Sequence, residues 1–125
     1  MEKIHSFTQL RTWQAAREFA VAVYTVTESF PERERFGLVS QMRRSSVSVA
    51  ANIAEGFSRS TARDKGNFYS IALGSLTETE SHAYIAHDLQ YIGVEELKRL
   101  LDLAGNLHKM INGLVKSAKG RVTTA

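Results

Sequence analysis

The feature that most constrains this chain is the near absence of helix breakers inside long stretches of helical hydrophobic periodicity. The only proline is Pro31, and of the eight glycines Gly37, Gly56, Gly93 and Gly120 fall at the ends of, or between, those stretches. Apolar residues recur at i, i+3, i+4 and i+7, and no segment shows the sustained two-residue alternation of a half-buried strand. The spacing predicts a first helix over about 8–29, with Thr8 as N-cap. Phe30-Pro31 ends it, because a residue before proline is pushed out of the α region. Pro31-Glu32-Arg33-Glu34 fits a short helical turn. A second helix is expected over about 38–57, with the stripe Leu38, Met42, Ser45, Val49, Ile53 and Gly56.

The polar stretch Ser58-Arg59-Ser60-Thr61 separates it from a third helix over about 62–91. Thr61-Ala62-Arg63-Asp64 resembles a capping box with Asp in the place of Glu. The third stripe is predicted to include Phe68, Ile71, Ala72, Ser75, Leu76, Thr79, His82, Ala83, Ala86 and Leu89, with Gly93 as a left-handed C-cap. The fourth helix, about 94–118, has the cleanest pattern: Leu97, Leu100, Leu101, Ala104, Leu107, Ile111, Leu114 and Val115. Long amphipathic helices joined by short connections imply an all-α, antiparallel up-and-down four-helix bundle. At 125 residues the expectation is one domain over 1–125, with 1–7 and 119–125 as flexible termini.

Composition removes whole classes. Without cysteine there is no disulfide scaffold, thiolate metal site or cysteine nucleophile. No run approaches the length of a membrane span, and Met1-Glu2-Lys3-Ile4-His5-Ser6 lacks a signal peptide's apolar core, so a cytoplasmic protein is expected. No Gly-rich phosphate loop ending in Lys-Ser/Thr and no Gly-x-Ser-x-Gly elbow occurs. A di-metal bundle needs Glu-x-x-His on two helices, whereas Glu78 and His82 are four apart and no second such pair exists. Neither cofactor, metal nor catalytic residue is therefore expected; a metalloenzyme using His82, Glu78 and His108 is the weakest alternative.

Two features exceed what an isolated bundle needs. Phe19-Ala20-Val21-Ala22-Val23-Tyr24-Thr25-Val26 leaves the first helix little polar face, and a helix apolar on every side must be covered on every side. A second subunit is the simplest cover, so self-association is expected. The second helix is the reverse, carrying Arg43, Arg44, Ser45, Ser46, Ser48, Asn52 and Glu55. Buried polar groups must be paired, since an unsatisfied one costs about 1–3 kcal/mol. A structural polar network of Arg44, Asn52, Glu55 and Glu78 is the expectation, with neighbouring serines and His82.

The net charge is +3 and the acids cluster between Glu78 and Asp102, after which only bases follow. Basic groups form at Arg33, Arg35, Arg43 and Arg44; at Arg59, Arg63 and Lys65; and at Lys109, Lys116, Lys119 and Arg121. One such patch binds polyanions weakly, but a ring of copies makes it multivalent. Arg43, Arg59, Arg63 and Lys65 are the candidates for RNA or DNA contact.

Ser40-Gln41-Met42-Arg43-Arg44, Ser48-Val49-Ala50-Ala51-Asn52-Ile53-Ala54-Glu55-Gly56 and Ala72-Leu73-Gly74-Ser75-Leu76-Thr77-Glu78 together resemble a bacterial four-helix-bundle family. Its members include proteins encoded in intervening sequences of 23S rRNA genes and the accessory protein of diversity-generating retroelements. Leu10-x-x-Trp13-Gln14-x-Ala16, Tyr24 and Phe30-Pro31-x-x-Glu34-x-Phe36-Gly37-Leu38 extend the likeness over nearly the whole chain. The resemblance implies an antiparallel bundle that assembles as a homopentamer. In the retroelement branch it implies a basic barrel that binds nucleic acid and a reverse transcriptase. Relatives often carry proline where this chain has Ala50, which implies a less kinked second helix here. The function expected from residues and resemblance together is a non-enzymatic homo-oligomeric scaffold or adaptor. The alternative is an accessory module that binds a reverse transcriptase or other enzyme without touching nucleic acid.

Overall fold

A computed structural model describes residues 4–124, with side chains described for 4–120. A 3-10 turn at Phe7–Gln9 leads into α1 (Arg11–Thr27); a second 3-10 turn, Glu32–Glu34, precedes α2 (Leu38–Ser58). α3 (Ala62–Asp88) and α4 (Val94–Thr124) complete an antiparallel bundle in which each helix packs on its chain neighbours and α4 closes against α1. No strand occurs among the described residues.

The core is the set of predicted stripes folded inward. Phe19 and Val23 of α1 meet Met42, Val49 and Ile53 of α2, Leu76 of α3, and Leu100, Leu107 and Ile111 of α4, all of them buried. Burial of each such side chain supplies roughly 1.5–3 kcal/mol of hydrophobic stabilisation. The buried hydroxyls are satisfied largely by their own helices. Ser45 Oγ donates to Met42 O, Ser46 Oγ to Arg43 O, and Thr27 Oγ1 to Val23 O at 2.8 Å. Thr79 Oγ1 donates across the interface to Ser45 Oγ at 2.7 Å. No buried side-chain nitrogen or oxygen lacks a partner among the described residues. Gly56 is required by contact: a Cβ there would lie 2.6 Å from the Tyr69 ring.

Several boundaries differ from expectation, each for a local reason. α1 begins at Arg11 rather than Thr8, because Ser6 and Gln9 close a capping box around the preceding turn and take Thr8 into it. α3 ends at Asp88, and the left-handed residue is Gln90 (φ 65°), not Gly93. Tyr91 N–H reaches Ala86 O and Gln90 N–H reaches His87 O, the paired bonds of a Schellman ending. Gly93 instead opens α4, its N–H donating to Glu96 Oε1 at 3.0 Å. Ile71 and Leu89, expected in the third stripe, are about half exposed, while Tyr69 is buried in its place. α4 runs past Ala118 to Thr124, through Gly120, with no proline to stop it. Of the terminal segments expected to be flexible, residues 1–3 and 125 lie outside the described residues, as do the side chains of 121–124, Arg121 included.

Candidate functional site

The first candidate surface lies where α1 and α2 leave their outer flanks uncovered. Val21 is 60% exposed, Val47 44% and Tyr24 43%. With Trp13, Ala20 and Ala50 they line an open, almost wholly apolar groove of about 620 Å³. Its rim is cationic at one end, where the Arg17 guanidinium lies 4.8 Å from the centre of the Trp13 ring. Arg17 has no carboxylate partner among the described residues. The other end carries the Glu28–Arg43 ion pair, at 3.2 Å. From sequence, Trp13 and Ala50 entered only through the family resemblance, and Val47 was given no role. Val47 carries the readable signal, an apolar residue off the inward stripe of α2.

The second surface is the outer seam between α2 and α3, where the polar residues of α2 meet α3. Arg44 pairs with Glu78, and also donates to Gln41 Oε1 at 3.0 Å. Glu78 Oε2 lies 3.1 Å from His82 Nε2. One turn along, the Ser48 and Ser75 hydroxyls share a hydrogen bond of 2.9 Å. Asn52 Nδ2 donates to Ser48 O and Ser48 Oγ. Arg44, Glu78, Ser48, Ser75 and Asn52 therefore form two adjoining clusters at the rim of the bundle, not in its interior. Glu55 stands apart, its carboxylate accepting from Arg59 Nη2 at 2.9 Å on exposed surface. The reason is angular: Glu55 follows Asn52 by 300° of helix rotation, which carries it away from α3 and into reach of its own helix's Arg59.

The candidate polyanion contacts divide sharply. Arg43 Nε donates to Thr27 Oγ1 at 3.0 Å and Nη2 to Tyr24 O at 3.3 Å, with its guanidinium 4.5 Å from the Tyr24 ring centre. Lys65 Nζ donates to Phe57 O at 2.7 Å and Gly56 O at 3.4 Å. Both cations thus cap the carbonyl end of a preceding helix, where positive charge is favoured by the unpaired C=O groups. Arg59 is held by Glu55 and stacks on Phe68 at 4.6 Å. Arg63 alone of the four is exposed with no ion pair or hydrogen bond among the described residues.

Among the described residues the histidines and their carboxylate partners lie at separate places. Glu80 lies on the flank of α3 opposite Glu78 and meets His108 of α4 at 2.6 Å, so His82 and His108 face different interfaces. No cluster of three or more metal-ligating residues occurs among the described residues. Two groups titrate away from their ordinary values for clear reasons. The Glu34 carboxyl is held low, first by the Leu38 N–H at the start of α2, 3.1 Å away, and then by the Tyr91 hydroxyl at 2.9 Å. Lys98 is raised by its hydrogen bond and ion pair with Asp102, at 2.8 Å. Both belong to helix ends and surfaces rather than to a reacting centre. Among the described residues no helix is long and apolar enough to cross a membrane.

Comparison with known proteins agrees with this geometry. The family described as 23S rRNA-intervening sequence protein matches residues 8–113. A solved structure from Bacteroides thetaiotaomicron is similar, with a TM-score of 0.75 and 26% identity, over 84% of this chain and 98% of that one. It is described as a protein with unknown function from the S23 ribosomal protein family. No curated protein matches.

Proposed function

The chain belongs to the 23S rRNA-intervening sequence protein family, and from that premise we propose that it is a non-enzymatic, cytoplasmic scaffold or adaptor that works as a homo-oligomer. The observation that carries the reading is the uncovered apolar groove of α1 and α2, with Val21, Tyr24 and Val47 exposed side by side. Contiguous apolar surface of this kind marks interaction sites on soluble proteins. The pentamer that the family resemblance implies is the expected stoichiometry. Light scattering behind a sizing column tests this directly. A species of several chains is expected, and a single 13.9 kDa species at working concentration overturns the reading.

Within such an assembly, RNA or DNA contact rests on the α2–α3 corner, where Arg63 is unengaged and Arg59 is half exposed. Repetition around a ring turns this small cationic patch into a multivalent one. A salt titration of RNA binding is the test: steep loss of affinity between 50 and 200 mM salt is expected of phosphate contacts. Undetectable binding at low salt favours the second reading, a protein-binding accessory module for an enzyme such as a reverse transcriptase. The engagement of Arg43 and Lys65 in helix capping supports that second reading.

A further inference from the structure

We propose that Asn112–Gly113 in α4 is a self-modification site whose reaction is gated by opening of the helix beyond it. In the closed helix the site is inert. Each opening exposes it to irreversible conversion of Asn112 to aspartate or isoaspartate.

The site stands out by sequence and by surroundings. The chain has four asparagines, and Asn52, Asn67 and Asn106 are followed by Ile, Phe and Leu. Only Asn112 is followed by glycine, whose missing side chain lets the next backbone nitrogen approach the amide carbon. Both residues are exposed on the outer side of α4. The Asn112 side chain makes no hydrogen bond among the described residues, and a Cβ on Gly113 would meet no atom within 4 Å. Packing therefore neither holds the amide nor shields it. Asparagine and glycine are also weak helix formers, and no contact within the chain accounts for the pair here.

The reaction needs only water. The Gly113 backbone nitrogen, having lost its proton to solvent, attacks Cγ of Asn112. A C–N bond forms, the side-chain amide nitrogen departs as ammonia, and a succinimide ring results. Water then opens the ring at either carbonyl. One opening gives aspartate; the other gives isoaspartate, with the main chain routed through the former side chain. The balance is asparagine plus water to aspartate or isoaspartate plus ammonia.

The α-helix forbids the first step. The Gly113 N–H is given to the Lys109 carbonyl four residues back, and the helical ψ of Asn112 turns that nitrogen away from Cγ. Release requires the turns after Asn112 to leave the bundle, so half-buried Leu114 and Val115 and buried Ala118 must come off the core. Fully buried Ile111 stays in place, which makes the gate a local opening. The two products then differ. Aspartate at 112 stands four residues before Lys116, a favourable helical pairing, so α4 re-forms. Isoaspartate inserts an extra main-chain atom into the hydrogen-bond ladder, so the segment carrying Lys116 and Lys119 stays detached.

The test incubates the 125-residue chain at mildly alkaline pH, folded and in urea. Peptide mass spectrometry follows the product, and isoaspartate methyltransferase labelling distinguishes the isomers. The rate tracks the open fraction when opening and closing outpace cyclisation. In urea Asn112 should react before the other three asparagines, and folding should slow it by at least about tenfold. Ala118→Gly, inside the gate, should speed the folded reaction by about fivefold and leave the urea rate unchanged. Val23→Ala changes a buried residue far along α1 from the Leu10 end, where Ala118 lies, and should leave the folded rate as it is. Gly113→Ala should silence the site in both states. Equal rates with and without urea, another asparagine reacting first in urea, or no product from folded Ala118→Gly overturns the proposal. Acceleration by Val23→Ala as large as that by Ala118→Gly makes global unfolding the gate and overturns it equally.

Discussion

The contact between α2 and α3 and the contacts made by α4 build one core in two different ways. α4 contributes large aliphatic side chains, Leu97, Leu100, Leu107 and Ile111, at regular spacing. Between α2 and α3 the buried groups include Ser45, Gly56, Ala72, Thr79 and Ala83 around a few larger residues. The first arrangement depends on volume and tolerates reshuffling of similar side chains. The second depends on close approach, a fitted ring and hydroxyls with named acceptors, so it sets which way the helices face. α3, whose buried face is built largely from small residues, also leaves Ile71, Tyr84 and Ile85 exposed.

The contrast can be broken from either side. The largest loss should come from α4. Leu107→Ala removes a fully buried side chain, and about 2–5 kcal/mol should be lost in denaturant unfolding. Next is the fitted contact: Gly56→Ala drives a methyl to within 3 Å of the Tyr69 ring, for which a loss of about 1–3 kcal/mol is expected. If Gly56→Ala proves neutral, the close-fit description of the α2–α3 contact is wrong. A smaller effect, about 1 kcal/mol, is expected for Thr79→Val. It keeps the shape and loses the bond to Ser45, whose own hydroxyl still donates to Met42 O.

The mildest prediction concerns the corner that both regions share. The Glu34 carboxyl is held below its ordinary value in the folded state, so its contribution is complete above the usual carboxylate range. That contribution disappears as pH falls through the lowered folded value. Thermal melts of the wild type and Glu34→Gln should therefore differ at neutral pH and converge in acid. Parallel curves across the whole range would remove Glu34 as the cap of α2.

The fold was legible because proline is scarce and helical periods are long; all four helices form, with the α4 stripe buried or half-buried throughout, although α3 stops short of Leu89 and leaves Ile71 exposed. What escaped the sequence was competition between nearby alternatives. Ser6 and Thr8 are both credible caps, and only the reciprocal bond from Gln9 decides for Ser6. Gly93 is the conformationally freer residue, yet Gln90 takes the left-handed turn because the Ala86 and His87 carbonyls lie where its geometry can satisfy them. The polar face of α2 was legible as polar; the structure sets Arg44 against Glu78 but leaves Glu55 apart, on Arg59. Spacing could not reveal that Arg43 and Lys65 point back to the ends of preceding helices, since long side chains reach in any direction their rotamers allow. The exposed groove was legible only as an excess of apolar residues on α1; the contribution of Val47 and Ala50 depends on how α2 rolls against it.

The placement of Arg43 and Lys65 has a mechanical consequence. Each cation belongs to one helix and seals the end of the helix before it, so neither end can loosen without letting go of its neighbour's side chain. The two corners behave as separate latches, one coupling α1 to α2 and the other α2 to α3. Chemical acetylation of Lys65 would undo one latch and leave the other shut, so hydrogen exchange should quicken at the α2–α3 corner before it does at the α1–α2 corner.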